Sequence, residues 1–333
     1  MSKLYPLQLV PEFVERVWGT HDVSFLYQHS VGSAPIGEVW LTGDDCRVAN
    51  GPLKGKTIAE LCKEFGEAFT GANNRTPNRF PLLIKVLFPR EKLSVQVHPD
   101  DEHAQCVGEP CGKTECWYIL KAEPGAQVGL GFVPGTERAE IERAIHEKRM
   151  EHLLNWIDVR EGDMIYVDAG TVHAIAPGSV IVETQQNSDT TYRLYDYGRP
   201  RELHIERGLE VMREQTHAGK VEREGTTLIA SPSFTVERLL LQETHGADTR
   251  RWNERGHVHC LFALDGAARI ESEGAQAVSL ARGEMAVVPA SVGNYSVVPQ
   301  WQCELLVASL PHENMPEPRT RLYDDAAVPT HSE

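Results

Sequence analysis

Short runs of hydrophobic residues follow one another along most of the chain, and glycine, proline or aspartate interrupts them at frequent intervals. Many strand-length runs at short spacing are typical of a β-sandwich or a β-barrel rather than of alternating βαβ units. We predict that the strands lie within residues 80–88, 93–98, 116–122, 163–169, 180–186, 226–241, 259–266, 268–272, 284–290 and 305–309. The hydrophobic pattern therefore indicates a mainly β fold.

Three segments carry apolar residues at helical spacing instead. The first spans Thr57–Phe69, with Thr57 as the expected N-cap. The second spans Thr136–Trp156, with Thr136 as its cap, and the third is a short helix over Ile205–Glu214. We therefore expect a few helices inserted into the β fold.

Two pairs of segments resemble each other and indicate a loose internal repeat. Residues 162–175 align with the segment that begins at Gly283, at an offset of 121 residues. The segment from Cys116 aligns with the segment from Cys260 at an offset of 144, so the first copy carries 23 additional residues between the two segments. The helix predicted over Thr136–Trp156 lies in that interval. Two copies of one β-unit would account for the length of the chain.

The composition is that of an ordinary globular protein, with 41% hydrophobic and 24% charged residues, which excludes disordered, collagenous and coiled-coil proteins. A length of 333 residues suits two domains. The net charge of -15 argues against binding to nucleic acid or to an anionic membrane, since both require a basic surface. A small anionic substrate would need a local positive pocket.

The seven cysteines are odd in number and include no CxxC pair, so neither a disulfide framework nor a thiolate zinc site is expected. No segment reaches the roughly 20 consecutive apolar residues of a membrane span. The first residues lack the apolar core and cleavage site of a signal peptide. We therefore expect a soluble, cytoplasmic protein.

The segment Leu93–Asp101 is the most informative for chemistry. In a strand, Ser94, Gln96 and His98 project from one face, while the hydrophobic residues between them project from the other. An edge strand with its polar face in water would give the same pattern. The segment alone therefore leaves a binding site and a solvated edge both open.

Two further segments supply side chains of the kind that bind metal ions. Lys113 and Glu115 lie two residues apart at the start of an apolar strand, and His173 follows a predicted turn. Together with Gln96 and His98, Glu115 and His173 would form a mixed nitrogen and oxygen site with one carboxylate, which suits zinc best. Such a centre would attract a sugar oxygen and a developing enediolate.

A last polar segment follows the strand predicted over residues 180–186. Glu183 lies on that strand, and Arg193 follows ten residues later. Arg193, Arg199 and Arg201 could supply guanidinium donors for a phosphate group. A solvated surface loop is the usual meaning of such a charged segment. The tyrosines within it favour a partly buried loop; they are Tyr192, Tyr195 and Tyr197.

Several of these stretches, in this order, resemble type I mannose-6-phosphate isomerases (phosphomannose isomerases), particularly the short bacterial form. The matching stretches are PLLIKVLFPREKLSVQVHPDD from Pro81, GKTECWYIL from Gly112, AGTVHAI from Ala169 and ETQQNSDTTYRLYDYGR from Glu183. GEVWLTG, which begins at Gly37, fits more loosely.

The resemblance implies a zinc-dependent enzyme built of two cupin (jelly-roll-like) β-barrels with a few inserted helices. It implies interconversion of mannose 6-phosphate and fructose 6-phosphate through a cis-enediolate, with one zinc ion per chain. The implied metal ligands are Gln96, His98, Glu115 and His173. The implied catalytic residues are Arg193, Glu183 and Lys113, and the implied substrate and phosphate ligands are Lys85, Ser94, Lys113 and Asp189. Glu183, Asp189 and a zinc-bound water remain open as the catalytic base.

We predict an N-terminal catalytic cupin domain over residues 1–215 and a metal-free cupin domain over residues 216–333. At the repeat offsets, His173 falls on Asn294, whereas Lys113 and Glu115 fall on His257 and His259. The resemblance fails after Trp40, where the family often has a histidine; the residues in that region here are Asp44, Asp45 and Cys46. This difference concerns contacts at the rim and the preference among sugars.

Three other functions remain open. The chain could isomerise another hexose phosphate such as glucose 6-phosphate, or be a non-catalytic sugar-binding or regulatory cupin. An iron-dependent cupin oxygenase is the third, although a glutamine ligand fits redox-inert zinc better. The expected partner is a sugar phosphate, not a nucleic acid or a membrane, and both a monomer and a homodimer are compatible with the sequence.

Overall fold

The computed structural model describes residues 3–76, 78–222, 225–242, 250–252, 256–311 and 315–322. In these ranges 22 strands form most of the regular structure, joined by five α-helices and two 3-10 turns. The predicted mainly β fold with few helices is therefore confirmed. None of the described helices is long and apolar enough to cross a lipid bilayer.

The strands occur along the whole chain. The first thirteen are β1 (Leu7–Val10), β2 (Glu12–Thr20), β3 (Ile36–Trp40), β4 (Arg47–Val48), β5 (Leu82–Leu87), β6 (Val95–Val97), β7 (Glu115–Ala122), β8 (Gln127–Phe132), β9 (Leu154–Asp158), β10 (Met164–Val167), β11 (His173–Ile175), β12 (Ser179–Gln186) and β13 (Tyr192–Tyr195). The others are β14 (Gly219–Val221), β15 (Thr227–Ala230), β16 (Thr235–Gln242), β17 (Arg250–Trp252), β18 (His259–Ser272), β19 (Val278–Ala281), β20 (Met285–Val288), β21 (Tyr295–Ser309) and β22 (Thr320–Arg321).

The helices are short and occur mainly between N-terminal strands. They are α1 (Ile58–Phe65), α2 (Glu67–Thr70), α3 (Asp101–Cys106), α4 (Arg138–His146) and α5 (Ile205–Val211). The two 3-10 turns span Met150–Leu153 and Ala290–Val292. The sequence pattern did not indicate α3, which Asp100 caps by accepting a hydrogen bond from the N–H of His103.

The first predicted helix is confirmed at its start. Thr57 and Glu60 form a capping box, in which each side chain accepts a hydrogen bond from the backbone N–H of the other. The helix does not continue to residue 69 without a break, because Gly66 adopts a positive φ of 49° and separates α1 from α2.

The second predicted helix is only partly correct. Its first half is α4, but the N-cap is Glu137, and the Thr136 hydroxyl instead donates to the carbonyl of Val133. The second half forms a 3-10 turn and then β9, because residues of β9 pair with β8. The third predicted helix is confirmed as α5, which ends earlier than expected.

The described strands pair antiparallel in three sheets. Sheet 1 has the order β15-β16-β21-β18-β20-β1-β4, with β17 beside β21 and β19 beside β18. Sheet 2 has the order β2-β3-β5-β12-β7-β10-β14-β22, and sheet 3 the order β13-β6-β11-β8-β9. The paths described are open, so the expectation of closed barrels is corrected to stacked open sheets.

Sheet 2 lies between the other two sheets. Alternate residues of its strands pack against sheet 1 and against sheet 3. On β7, Cys116 and Tyr118 belong to the core shared with sheet 1, whereas Trp117 and Ile119 belong to the core shared with sheet 3. A strand buried on both faces has no polar side to expose, which explains the nearly continuous hydrophobic sequence of β7.

The internal repeat is visible in the strand register. Tyr118 pairs with Met164 across β7 and β10, and Phe262 pairs with Met285 across β18 and β20. These positions differ by the two offsets found in the sequence, 144 and 121 residues. The interval between β7 and β10 contains α4, as the longer first copy requires.

Strands from the two ends of the chain also pair with strands of the other repeat copy. β1 pairs with β20 in sheet 1, while β14 and β22 extend sheet 2 beside β10. The division into domains of residues 1–215 and 216–333 stays a prediction.

Candidate metal centre and active site

The face of sheet 3 that is turned toward sheet 2 carries a row of three polar side chains. In the register of the sheet, His173 on β11 pairs with Gln96 on β6, which pairs with Arg193 on β13. Residues directly opposite one another on antiparallel strands share a face. Ser94 and His98 flank Gln96 at alternate positions, and both are buried. The polar face is therefore interior, and the solvated-edge interpretation is wrong.

Sheet 2 supplies a second row that faces this one. Lys85 on β5 pairs with Glu183 on β12, which pairs with Trp117 on β7. Glu115 lies two residues before Trp117 and therefore on the same face. The ring of Trp117 contacts His173 edge to face, with centroids 5.4 Å apart, so sheets 2 and 3 meet at the site.

Three buried side chains converge in a geometry that suits a metal ion. His98 Nε2 lies 3.6 Å from Glu115 Oε2, and His173 Nε2 lies 3.4 Å from Glu115 Oε1. The ligand atoms of His98, Glu115 and His173 all lie within 4.8 Å of one another, and no other such cluster of three occurs among the described residues. Glu115 Oε2 receives no well-aligned hydrogen bond from any described residue. A buried carboxylate between two imidazoles, with one oxygen that accepts no well-aligned hydrogen bond, fits a divalent cation.

Gln96, the fourth expected ligand, lies at the edge of this cluster. Its Nε2 atom is 3.2 Å from His173 Nε2, and its Oε1 atom accepts a hydrogen bond from the Ser94 hydroxyl at 3.0 Å. Coordination through the amide oxygen requires the amide group to rotate by half a turn. Ser94 therefore contacts a prospective metal ligand and can control how that amide is oriented.

Backbone carbonyl groups set the tautomers of both histidines. His98 Nδ1 lies 2.9 Å from the carbonyl oxygen of Thr190, and His173 Nδ1 lies 2.9 Å from that of Thr171. Because a carbonyl only accepts, each Nδ1 carries the proton and each Nε2 has a free lone pair for a metal. Burial, followed by the charge of Lys113, lowers the pKa of His98 well below its usual range, and burial lowers the pKa of His173 to about 4.

Lys113 brings a positive charge to the same cluster. Its Nζ atom is 3.1 Å from His98 Nε2 and 3.3 Å from Glu115 Oε2, and the side chain is buried. The predicted proximity of Lys113 and Glu115 is thus found. The ammonium group lies where it can donate to an oxygen atom held at the cluster.

A chain of buried charges leads away from the cluster along sheet 2. Lys85 Nζ lies 3.1 Å from Glu183 Oε1 and 3.8 Å from Glu38 Oε2. Arg16 forms a bidentate pair with Glu38, with both distances at 3.0 Å, and Trp40 Nε1 donates to Glu38 Oε2 at 2.6 Å. The carboxylates of Glu183 and Glu38 raise the pKa of Lys85 even though burial opposes its charge. Lys85 is therefore a charged group that faces two carboxylates, one of which, Glu38, also binds Arg16.

Arg16 and Glu38 were missed in the sequence. The only signal was the loosely matching GEVW segment, in which Glu38 and Trp40 alternate onto one face of β3. The partner of Glu38 on β5 becomes apparent only once the register between β3 and β5 is known, which pairs Trp40 with Lys85.

The loop after β12 and strand β13 carry the remaining residues that the sequence predicted for the active site. Arg193 is half-buried, and its Nη1 atom donates to the carbonyl of Glu202 at 3.1 Å. Asp189 is exposed. Tyr192 is buried and the other two tyrosines of this segment are half-buried, which confirms the partly buried loop.

Arg199 and Arg201 share one carboxylate partner. Both guanidinium groups bind the buried carboxylate of Asp196, at 2.8 Å and 2.6 Å. These ion pairs hold the loop together, and a phosphate contact of the two arginines stays a prediction.

Of the residues that replace the expected histidine, Asp44 contacts the loop after β12. Asp44 Oδ1 accepts a hydrogen bond from Asn187 Nδ2 at 3.2 Å. Cys46 is buried and its thiol donates to the carbonyl of Trp40, while Asp45 is exposed.

In the second repeat copy, His259 Nδ1 lies 2.7 Å from the hydroxyl of Tyr295. His259 is thus part of a buried polar pair at the position that corresponds to Glu115.

Comparison with known proteins identifies relatives of this chain. The family described as phosphomannose isomerase type I, catalytic domain, matches residues 7–121. The probable mannose-6-phosphate isomerase GmuF from Bacillus subtilis (strain 168) is 33% identical over 323 residues, which cover 91% of this chain and 99% of the relative. The mannose-6-phosphate isomerase of Streptococcus mutans is 33% identical over 307 residues, covering 87% and 94%.

A solved structure supports the same assignment. The mannose 6-phosphate isomerase from Bacillus subtilis superposes with a TM-score of 0.78 at 32% sequence identity, and the match covers 91% of this chain and 99% of that chain. This similarity confirms the expected cupin-type fold. The chain belongs to the type I phosphomannose isomerase family.

Proposed function

We propose that the chain interconverts mannose 6-phosphate and fructose 6-phosphate with the help of one zinc ion. The observation that carries the proposal is the buried cluster of His98, Glu115 and His173, with the ammonium of Lys113 against it. The family membership and the mannose-6-phosphate isomerase relatives support the same reaction.

Zinc is the metal that the donor set favours. Two neutral imidazoles, one carboxylate and one amide form a mixed set of nitrogen and oxygen donors, whereas calcium and magnesium prefer oxygen donors alone. The residues that would hold the ion are Gln96, His98, Glu115 and His173. When bound, zinc supplies a Lewis acid that polarises the carbonyl oxygen of the sugar.

Glu183 is our candidate for the catalytic base. Aldose–ketose isomerisation transfers a proton between C2 and C1 through a cis-enediolate, so one base can take the proton from one carbon and return it to the other. Burial raises the pKa of Glu183, an effect that the ammonium of Lys85 opposes and the carboxylate of Glu115 reinforces. Asp189, in contrast, is exposed. A raised pKa makes a carboxylate a stronger base, which suits a group that takes a proton from carbon and returns it.

We assign a role to each cationic residue from the charged groups that lie next to it. Lys85 faces Glu183 and Glu38, so we propose that it orients Glu183. Lys113 contacts the metal cluster, and we propose that it donates to the oxygens of the reacting carbons. Arg193 would counter the negative charge that develops on the enediolate. Ser94 and Asp189 stay predicted substrate contacts.

A coupled assay on two sugar phosphates tests this function. We expect the zinc-loaded protein to convert mannose 6-phosphate to fructose 6-phosphate and to act poorly on glucose 6-phosphate. Preferential turnover of glucose 6-phosphate would show that the chain is an isomerase of a different hexose phosphate. No turnover of either sugar, with zinc bound, would favour a non-catalytic sugar-binding cupin.

A further inference from the structure

Three consecutive backbone N–H groups around Lys113 are each held by a separate acceptor. The N–H of Gly112 donates to Asp101 Oδ1 at 2.8 Å, and the N–H of Lys113 donates to the carbonyl of Pro99 at 2.9 Å. The N–H of Thr114 donates to Gln186 Oε1 at 2.9 Å. The backbone that carries Lys113 is therefore restrained on both sides of the residue.

Asp101 and Gln186 also bind each other, which joins these restraints into one network. Gln186 Nε2 donates to Asp101 Oδ1 at 2.8 Å, so a single carboxylate oxygen accepts two hydrogen bonds. The N–H of Gln186 in turn donates to the carbonyl of Thr114 at 3.1 Å. Asp101 lies in the first turn of α3, where the helix dipole stabilises a negative charge.

Close backbone packing at Gly112 further restrains the segment that carries Lys113. A Cβ atom at this position would lie 2.5 Å from the backbone carbon of Asp100 and 2.7 Å from the carbonyl oxygen of Pro99. No side chain fits there without moving the backbone. The segment 112–114 is thus pressed against the turn that directly follows His98, and the restraints link Lys113 to the strand that carries a candidate metal ligand.

We propose that Asp101 and Gln186 are positioning residues for Lys113. They hold its backbone so that the ammonium group stays against His98 and Glu115, although neither touches the reacting atoms. A group that donates to a reacting oxygen must be placed within a fraction of an ångström, and a displacement of about 1 Å can cost a hundredfold in rate. This inference rests on the proposed function only through the role of Lys113.

The kinetic test uses Gln186→Leu and Asp101→Ala, each loaded with zinc. We expect kcat on mannose 6-phosphate to fall by about tenfold to a hundredfold in each variant, with KM and zinc content within about threefold of the wild type. Asp101→Asn keeps an oxygen that accepts both hydrogen bonds, so it should retain kcat within about threefold. If Asp101 acted only through its negative charge, Asp101→Asn would lose as much kcat as Asp101→Ala.

A matched control is available on the protein surface. Gln127 Nε2 donates to Asp158 Oδ1 at 2.8 Å, which is the same pair of side chains at the same distance in an exposed position. Gln127→Leu should leave kcat and KM unchanged. Wild-type kcat in Gln186→Leu, or loss of activity in Asp101→Asn equal to that in Asp101→Ala, would overturn the proposal.

A crystal structure of Gln186→Leu provides a second readout that needs no substrate. We expect Lys113 Nζ to move more than about 1 Å from its present contact with Glu115 Oε2. If the wild type does not turn over mannose 6-phosphate, the proposed function fails, while a displaced Lys113 still supports the positioning role. An unmoved Lys113 overturns that role whatever the reaction is.

Discussion

The ammonium nitrogen of Lys85 lies 3.1 Å from Oε1 of Glu183, and both side chains are buried between sheets 2 and 3. The two residues pair directly across β5 and β12, so the strand register itself brings them together. A buried carboxylate with a neighbouring cation is held in one place and is shielded from bulk water. This relationship is the basis of our proposal that Glu183 is the proton acceptor and that Lys85 orients it; binding of phosphate by Lys85 stays a prediction.

Replacing Glu183 by glutamine tests its role as the base. The amide has nearly the same size but cannot accept the sugar proton, so we expect kcat on mannose 6-phosphate to fall by about a hundredfold or more, with KM little changed. Steady-state kinetics measures both constants, and Asp189→Asn is the comparison. If Asp189→Asn loses more turnover than Glu183→Gln, the base has been assigned to the wrong residue.

Replacing Lys85 by methionine tests the buried ion pair. The change leaves Glu183 buried without its nearest cation, and we expect the free energy of unfolding to fall by about 3–5 kcal/mol. Lys56→Met breaks an exposed pair with Glu64 and should cost less than about 1 kcal/mol. Urea unfolding measures both. Equal losses in the two variants would show that burial adds nothing to the Lys85 pair.

Arg193→Ala separates catalysis from metal binding. Arg193 lies in the same row as Gln96 and His173, yet its side chain bonds to the carbonyl of Glu202 rather than to any of the metal-capable groups. We expect turnover to fall by about a hundredfold, the usual effect of removing one group that stabilises a developing charge. Zinc content should remain within about twofold of the wild type. Near-normal turnover would mean that Arg193 does not face the reacting carbons.

Glu38 should make stability sensitive to acid. Burial alone would raise the pKa of Glu38, but the charges of Lys85 and Arg16 outweigh it and lower the pKa to about 2 from an ordinary 4.5. A carboxyl group whose pKa is lowered on folding stabilises the protein above its unfolded pKa, and this stabilisation is lost as the pH falls toward the folded value. We expect about 2 kcal/mol of such loss between pH 5 and pH 3.

Urea unfolding of the wild type and Glu38→Gln at pH 5, 4 and 3 measures this effect. The glutamine variant is less stable at pH 5, because Lys85 and Arg16 lose a charged partner, but it should lose less on acidification. Glu64→Gln, which changes an exposed carboxyl group, should follow the wild type. Parallel curves for Glu38→Gln and the wild type would contradict the lowered pKa.

Local alternation in the sequence predicted a large part of the site. Ser94, Gln96 and His98 share a face because every second residue of a strand does, and the structure places that face inside. The two repeat offsets found in the sequence also relate the register of β7–β10 to that of β18–β20. These features depend on residues close in sequence, or on two copies of one pattern.

Features that depend on pairing between distant segments could not be predicted in this way. Arg16 and Glu38 meet Lys85 only because β2, β3 and β5 are neighbours, an order that no local pattern specifies. Arg199 and Arg201 have the charge expected of phosphate ligands, but the buried Asp196 binds both. β9 has apolar spacing compatible with a helix, and pairing with β8 determines that it is a strand.

The most direct test of the central claim is zinc analysis of the purified protein, followed by mannose 6-phosphate turnover before and after treatment with a chelator. We predict one zinc ion per chain, loss of turnover when the ion is removed, and recovery when zinc is added back. His98→Ala and His173→Ala should each abolish stoichiometric zinc binding. Full turnover by the metal-free protein, or one tightly bound zinc in both variants, would contradict a catalytic centre at His98, Glu115 and His173.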